Sequence, residues 1–198
     1  MSKQIEFFLD VVSPYSHLAW KVLPGIAARQ GARIVWRPVL LGALLKSTGN
    51  NSPLAVPAKS RWMRDDLQRW ARHYGVAFGL NPHFPLRTVE LMRGLYACLQ
   101  HDEASFLRHL EVLFDAMWVE GRNLADAQVR SDVLLQAGLD PLAFQALADS
   151  PQAREGLRLA TEQAVERGVF GAPTFIVDGE LFWGQDRLHF VEQALQAT

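Results

Sequence analysis

Short apolar runs alternate along the chain with long stretches of helical spacing. Residues 4 to 10, QIEFFLD, read as a first strand, which Ser13-Pro14 interrupts. Pro14 suits a first helical turn, where its missing N–H costs nothing. From Tyr15 to Arg29 the apolar positions Leu18, Ala19, Val22, Leu23, Ile26 and Ala27 recur at helical spacing. Gly31 ends that helix, and 32–39 (ARIVWRPV) reads as a second strand. A β-α-β opening of this kind implies parallel strands joined by a right-handed crossover.

The middle of the chain changes character. Residues 47–58 (STGNNSPLAVPA) are rich in turn formers and predict a loop. Lys59 to Tyr74 is helical in pattern, with Met63, Leu67, Trp70 and Ala71 on one side. A second Gly/Pro-rich loop covers 75–85, followed by helices at about 86–101, 103–120 and 125–137. Another pair follows Pro141 and Pro151, ending near Arg167. Strand character returns at 173–177 (PTFIV), and Asp178-Gly179 is a two-residue hairpin turn leading into Glu180–Trp183. Gln185 to Ala197 predicts a last amphipathic helix. The order β-α-β, helices, β-β-α predicts an α/β thioredoxin-like fold. Its expected domains are 1–45 with 165–198, and a large all-helical insertion at 46–164.

Composition narrows the function classes. Of 198 residues, 49% are hydrophobic and 21% charged, which excludes a disordered or fibrous chain. The 20 Lys+Arg nearly cancel the 21 Asp+Glu, so no dominant basic face for nucleic acid is expected. No window approaches the roughly 18 to 20 apolar residues of a spanning helix. The N-terminal apolar stretch is broken by Asp10 and lacks a cleavage site, so no membrane partner and a cytoplasmic location are expected. Cys98 is the only cysteine, which forbids an intrachain disulfide and suggests a buried apolar side chain. The six histidines form no HExxH or Cys/His cluster, so no metal site is predicted. Trp62, Trp70, Phe106, Phe114 and Trp118 fall at helical spacings that predict core packing.

Four segments are candidates for chemistry. Ser13-Pro14-Tyr15-Ser16 stands where the first strand meets the first helix. A helix N-terminus presents unpaired N–H groups and a positive dipole end, so it stabilises an anion, including a thiolate. Serine forms no disulfide, but it donates a hydrogen bond; its ordinary role there is a helix cap. Around Ala172-Pro173, a cis bond would expose the Ala172 backbone for β-type pairing with an extended peptide. A proline that merely opens a strand is the plain alternative. In Trp183-Gly184-Gln185-Asp186, Asp186 is either the N-cap of the last helix or a partner for an amino group. Asn50 lies in a turn-rich loop. Lys59 opens a helix, a poor place for a cation unless an anionic partner comes near; a solvated surface lysine is the alternative. The glycines match neither P-loop nor dinucleotide spacing, and the lack of a GxSxG elbow argues against Ser13 as a hydrolase nucleophile.

Taken in order, FFLD followed by SPYS, TGN at 48–50, DLQRWARHYG at 66–75, GVFGAPTF at 168–175 and FWGQDRL at 182–188 resemble the 2-hydroxychromene-2-carboxylate isomerases. These are relatives of the kappa-class glutathione transferases and, more distantly, of the periplasmic disulfide oxidoreductases. The resemblance spans almost the whole chain. It implies a homodimer that binds glutathione and an aromatic carboxylate. Catalytic Ser13 would hydrogen-bond the glutathione sulfur. Pro14, Tyr15, Asn50, Lys59, Ala172, Pro173, Trp183, Gly184, Gln185 and Asp186 would form the peptide site. Phe84 falls in the substrate pocket, where the isomerases can place a tyrosine. The implied reaction interconverts 2-hydroxychromene-2-carboxylate and trans-o-hydroxybenzylidenepyruvate, in aromatic hydrocarbon catabolism, by reversible thiolate addition. Alternatives are a kappa-like transferase or peroxidase, a thiol-disulfide oxidoreductase, which Ser13 and Ser16 disfavour, and a non-catalytic peptide-binding module.

Overall fold

The computed structural model describes residues 3–197. Strand β1 (Gln4–Leu9) leads into helix α1 (Pro14–Gln30) and strand β2 (Arg33–Pro38). Helices α2 (Leu41–Thr48), α3 (Pro57–Tyr74), α4 (Val89–His101), α5 (Glu103–Trp118), α6 (Ala127–Gln136), α7 (Pro141–Asp149) and α8 (Pro151–Glu166) follow. Strands β3 (Thr174–Val177) and β4 (Glu180–Trp183) and helix α9 (Leu188–Ala197) close the chain. The sheet order is β2-β1-β3-β4, with β1 parallel to β2 and antiparallel to β3. This is the thioredoxin-like α/β arrangement anticipated above, with the helices α2–α8 inserted between β2 and β3 in sequence.

The sheet is covered on both faces because its strands are apolar on both. Phe7 of β1 pairs across the sheet with Trp36 on one side and Phe175 on the other. The Phe7 and Phe175 rings stack at 5.1 Å, and Phe7 meets Trp36 at 5.9 Å. These rings join the main core with Leu23 of α1, Phe106 of α5 and Val191 of α9. The opposite face carries Phe8 and Ile176, which pack with Leu44 of α2 and Ala164 of α8. A third cluster, Leu18 with Met63, Leu67 and Ala71, fixes α3 against α1.

Local chemistry sets the helix ends. Gly31 takes φ 62°, and its N–H closes α1 onto the Ala27 and Ala28 carbonyls. Ser13, Asp102, Asp126, Asp140 and Ser150 each cap a helix with a side-chain oxygen. The hairpin turn Asp178-Gly179 has φ 47° and 88°, as a two-residue turn of this type requires.

Three expectations need correction. Part of the predicted 47–58 loop is regular: α2 runs to Thr48, Pro53–Ala55 is a 3-10 turn, and α3 begins at Pro57. Helix α2 has no capping side chain next to it in sequence, which hid it from pattern reading. The last helix begins at Leu188, after a 3-10 turn over Gln185–Arg187. Trp62 is 59% exposed and packs in no core, and Trp70 is only half-buried, whereas Phe106, Phe114 and Trp118 are fully buried.

Close approach of α4 and α7 depends on Gly94. A Cβ there would lie 2.3 Å from Phe144 Cζ, inside the ring's van der Waals surface. Gly94→Ala should therefore lower stability by about 1–3 kcal/mol. Urea unfolding measures it, and adding Phe144→Leu should recover part of the loss. An unchanged midpoint for Gly94→Ala would contradict this packing.

Candidate active site

The site forms where β1 delivers the chain to the N-terminus of α1. Ser13 is the N-cap, Pro14 occupies the first helical position, and the Ser13 Oγ accepts from the Ser16 N–H at 3.1 Å. The Ser13 hydroxyl donates to the Ala172 carbonyl at 2.9 Å. Ser13 is 2% exposed and Ala172 9%, so both flank a nearly closed contact. The Ala172-Pro173 peptide bond is cis. Among the described residues, the Ala172 N–H makes no hydrogen bond. The Ser16 hydroxyl is also buried without a partner.

Around this contact the chain is tied by backbone bonds. The Gly184 N–H donates to the Pro173 carbonyl at 2.9 Å, and Thr174 Oγ1 donates to Gly171 O at 2.7 Å. Asn50 Nδ2 donates to the Phe170 carbonyl at 3.2 Å. Trp183 packs on Phe170 with ring centroids 5.0 Å apart. A Cβ at Gly171 would meet Trp183 Nε1 at 2.7 Å, so only glycine lets that indole lie where it does.

Tyr15 and Asp186 form a second part of the site. The Tyr15 hydroxyl donates to Asp66 Oδ2 at 3.1 Å, and the Tyr74 hydroxyl donates to the Gln185 carbonyl at 2.8 Å. Burial, with the Asp66 and Asp186 charges added, holds the Tyr15 phenol well above its ordinary value. Burial and then Asp186 push Tyr74 up to about 12. Partial burial, reinforced by Asp186, raises the Asp66 carboxyl, while Tyr15 and Arg69 oppose the rise. Both phenols therefore remain protonated donors at neutral pH, beside two carboxylates. Asp186 is not the cap of the last helix: it lies inside the 3-10 turn, where its carboxylate pairs with Arg187 at 2.7 Å.

Two candidates stand apart. Lys59 is exposed in the first turn of α3 and makes no hydrogen bond or ion pair among the described residues. Phe84 is half-buried and edge-on to Trp118 at 5.2 Å. It reaches the site through that indole, whose Nε1 donates to the Val11 carbonyl two residues before Ser13. A cavity of about 300 Å³ lies elsewhere, between β2, α4 and α8, and none of these candidates lines it.

Sequence reasoning missed Asp10. It is 1% exposed, and its carboxylate accepts from Val12 N at 3.0 Å, Leu41 N at 2.9 Å and Thr88 Oγ1 at 2.9 Å. Its backbone carbonyl accepts from Ser13 N at 3.0 Å. One residue thus holds the Ser13 loop, starts α2 and fastens the segment before α4. The available signal was a lone acidic residue closing an apolar strand just before Ser-Pro. Asp66 and Tyr74 were also missed as site residues, although both stand in the 66–75 segment.

A family model described as a DSBA-like thioredoxin domain matches residues 4–196. The chain is 34% identical over 197 residues to the 2-hydroxychromene-2-carboxylate isomerase of Sphingobium xenophagum, covering 98% of this chain and 99% of that one. It is 28% identical over 205 residues to glutathione S-transferase kappa 1 of Caenorhabditis elegans, covering 98% and 91%. Among solved structures, a 2-hydroxychromene-2-carboxylate isomerase superposes with a TM-score of 0.87 at 30% identity, over 98% of this chain and 95% of that one.

Burial pushes the Asp10 carboxyl above the usual carboxylate range, and the three hydrogen bonds oppose the shift. Between the unfolded value of about 3.9 and that raised value, the folded state keeps a proton the unfolded chain has lost. Stability contributed by this group therefore falls as pH rises through that window. Asp10→Asn should be less stable than wild type, with a flatter pH dependence. Denaturant unfolding at about pH 4 and about pH 7 checks this. A variant with the wild-type pH slope would contradict it.

Proposed function

The chain belongs to the DSBA-like thioredoxin domain family, among its 2-hydroxychromene-2-carboxylate isomerases, and on that premise we propose that it is a glutathione-dependent isomerase. It interconverts 2-hydroxychromene-2-carboxylate and trans-o-hydroxybenzylidenepyruvate. The observation that carries the reading is Ser13: a buried hydroxyl at a helix N-terminus, in a fold whose redox members place a thiol there. A site without its own thiol suits one that is brought in.

The residues present fit glutathione. The unpartnered Ala172 N–H and its adjacent carbonyl offer a donor and an acceptor for the cysteinyl backbone. Asp186 and Asp66, beside the Tyr15 phenol, suit the γ-glutamyl ammonium group. Lys59, exposed and unpaired, is available to a carboxylate of the peptide. When bound, glutathione supplies a thiolate that adds reversibly to the conjugated double bond of the ring-opened substrate and leaves after rotation. Ser13 and the N-terminus of α1 lower the thiol pKa and hold the sulfur in place. Phe84, half-buried and backed by the buried Trp118, offers an apolar face for an aromatic ring. On the same family likeness we assign a cytoplasmic homodimer. Among the described residues, no helix is long and apolar enough to cross a membrane.

A second reading, a kappa-like glutathione transferase, is favoured by the likeness to glutathione S-transferase kappa 1. It uses the same peptide site on a different electrophile.

Conversion of 2-hydroxychromene-2-carboxylate, followed by ultraviolet absorbance on protein stripped of peptide, should require added glutathione. Ser13→Ala should lower turnover at saturating glutathione by about 10- to 100-fold near neutral pH, the worth of one hydrogen bond to a charged group. The deficit should narrow as pH approaches the thiol's own value of about 8.5 to 9. Turnover without glutathione, or an unimpaired Ser13→Ala, would sink the assignment. Glutathione binding without turnover would favour the transferase.

A further inference from the structure

The Ser13 hydroxyl has one proton, and the structure shows where it goes. It is donated to the Ala172 carbonyl at 2.9 Å, while the Ser16 N–H occupies a lone pair on the same oxygen at 3.1 Å. In this arrangement Ser13 has no proton left for a sulfur anion. Yet the Ala172 N–H next to that carbonyl is without a partner among the described residues. Half of a β-type pairing is therefore open, and on the other half Ser13 occupies one of the two lone pairs of the carbonyl.

Resting on the assignment of glutathione to this cleft, we infer that Ser13 is a peptide-switched donor: its hydroxyl leaves the Ala172 carbonyl when that carbonyl accepts the cysteinyl amide N–H. The exchange balances. Before it, Ser13 donates to Ala172 O, and the Ala172 N–H is open. After it, Ala172 O accepts from the peptide amide, the Ala172 N–H donates to the peptide carbonyl, and Ser13 donates to the thiolate. The bond to an ionised sulfur is stronger than the neutral bond it replaces, so the rotation is downhill once the carbonyl is satisfied. Ser16 N–H stays on Ser13 Oγ throughout, so the oxygen remains anchored while its proton turns. Thiol activation is thereby coupled to recognition of a peptide amide, and a simple thiol that lacks one is left poorly activated.

The test compares glutathione with an isosteric analogue in which an ester oxygen replaces the γ-glutamyl–cysteinyl amide N–H. The thiol pKa of each bound ligand is read from thiolate absorbance in wild type and Ser13→Ala. With glutathione, wild type should lower the pKa below that in Ser13→Ala by about one to two units. With the ester, the two proteins should differ by no more than a few tenths of a unit. Should the ester bind too weakly to saturate, kcat/KM for both ligands and both proteins completes a double-mutant cycle that needs no saturation. The wild-type advantage should then be about tenfold or more with glutathione and near unity with the ester. An equal Ser13 effect for both ligands would overturn the switch while leaving the glutathione assignment intact. Calorimetry showing that glutathione itself does not bind would overturn both.

Discussion

One hydrogen bond, from the Ser13 hydroxyl to the Ala172 carbonyl, joins segments 159 residues apart and fixes the geometry of the site. Its existence depends on the sheet. Strand β1 lies between β2 and β3, so the chain leaving β1 meets the chain entering β3 at the same end. Phe8 pairs with Thr174, which places the residues just beyond each strand side by side. The packed rings of Phe7, Trp36 and Phe175 hold that register, because a one-residue slip of any of the three strands would turn its ring to the wrong face. Asp10 then sets the exact turn from β1 into α1 through both its carboxylate and its carbonyl. Core packing, a buried acid and a helix cap thus converge on one contact.

A thioredoxin-like fold is usually met as a carrier of redox cysteines, and this chain keeps the scaffold without them. Ser13 and Ser16 stand at the helix N-terminus. Cys98 is buried in α4, its sulfur 3.9 Å from His109 Nδ1, and burial raises its thiol pKa. A thiol held that way is poorly ionised and unreactive. The electrostatic advantage of the α1 N-terminus therefore awaits an anion from outside the chain. In the proposed function a borrowed thiolate fills that role, and the acidic Tyr15–Asp66–Asp186 end takes its positive group.

Much of the fold was legible because it rests on local rules. The Gly31 stop, the Asp178-Gly179 turn and the Tyr15–Arg29 periodicity each specify their element without help. Helix α2 was not legible, since its first N–H is satisfied by Asp10, remote in sequence. Trp62 was misread because helical spacing says which residues share a face, not which face is covered. At the site, Ser13 and Ala172 were readable from segments of distinctive composition. Asp10, Asp66 and Tyr74 were not, because a buried carboxylate or phenol is defined by partners far along the chain. Of the two roles open to Asp186, the cap is removed by its place in the 3-10 turn, where it pairs with Arg187.

The most direct measurement is a crystal structure of the protein with glutathione bound at neutral pH. The glutathione sulfur should lie within hydrogen-bond reach of Ser13 Oγ, with the cysteinyl amide on the Ala172 carbonyl. The Ser13–Ala172 contact, 2.9 Å here, should be broken in that complex. A complex in which Ser13 stays on Ala172 and the sulfur lies elsewhere would contradict this expectation.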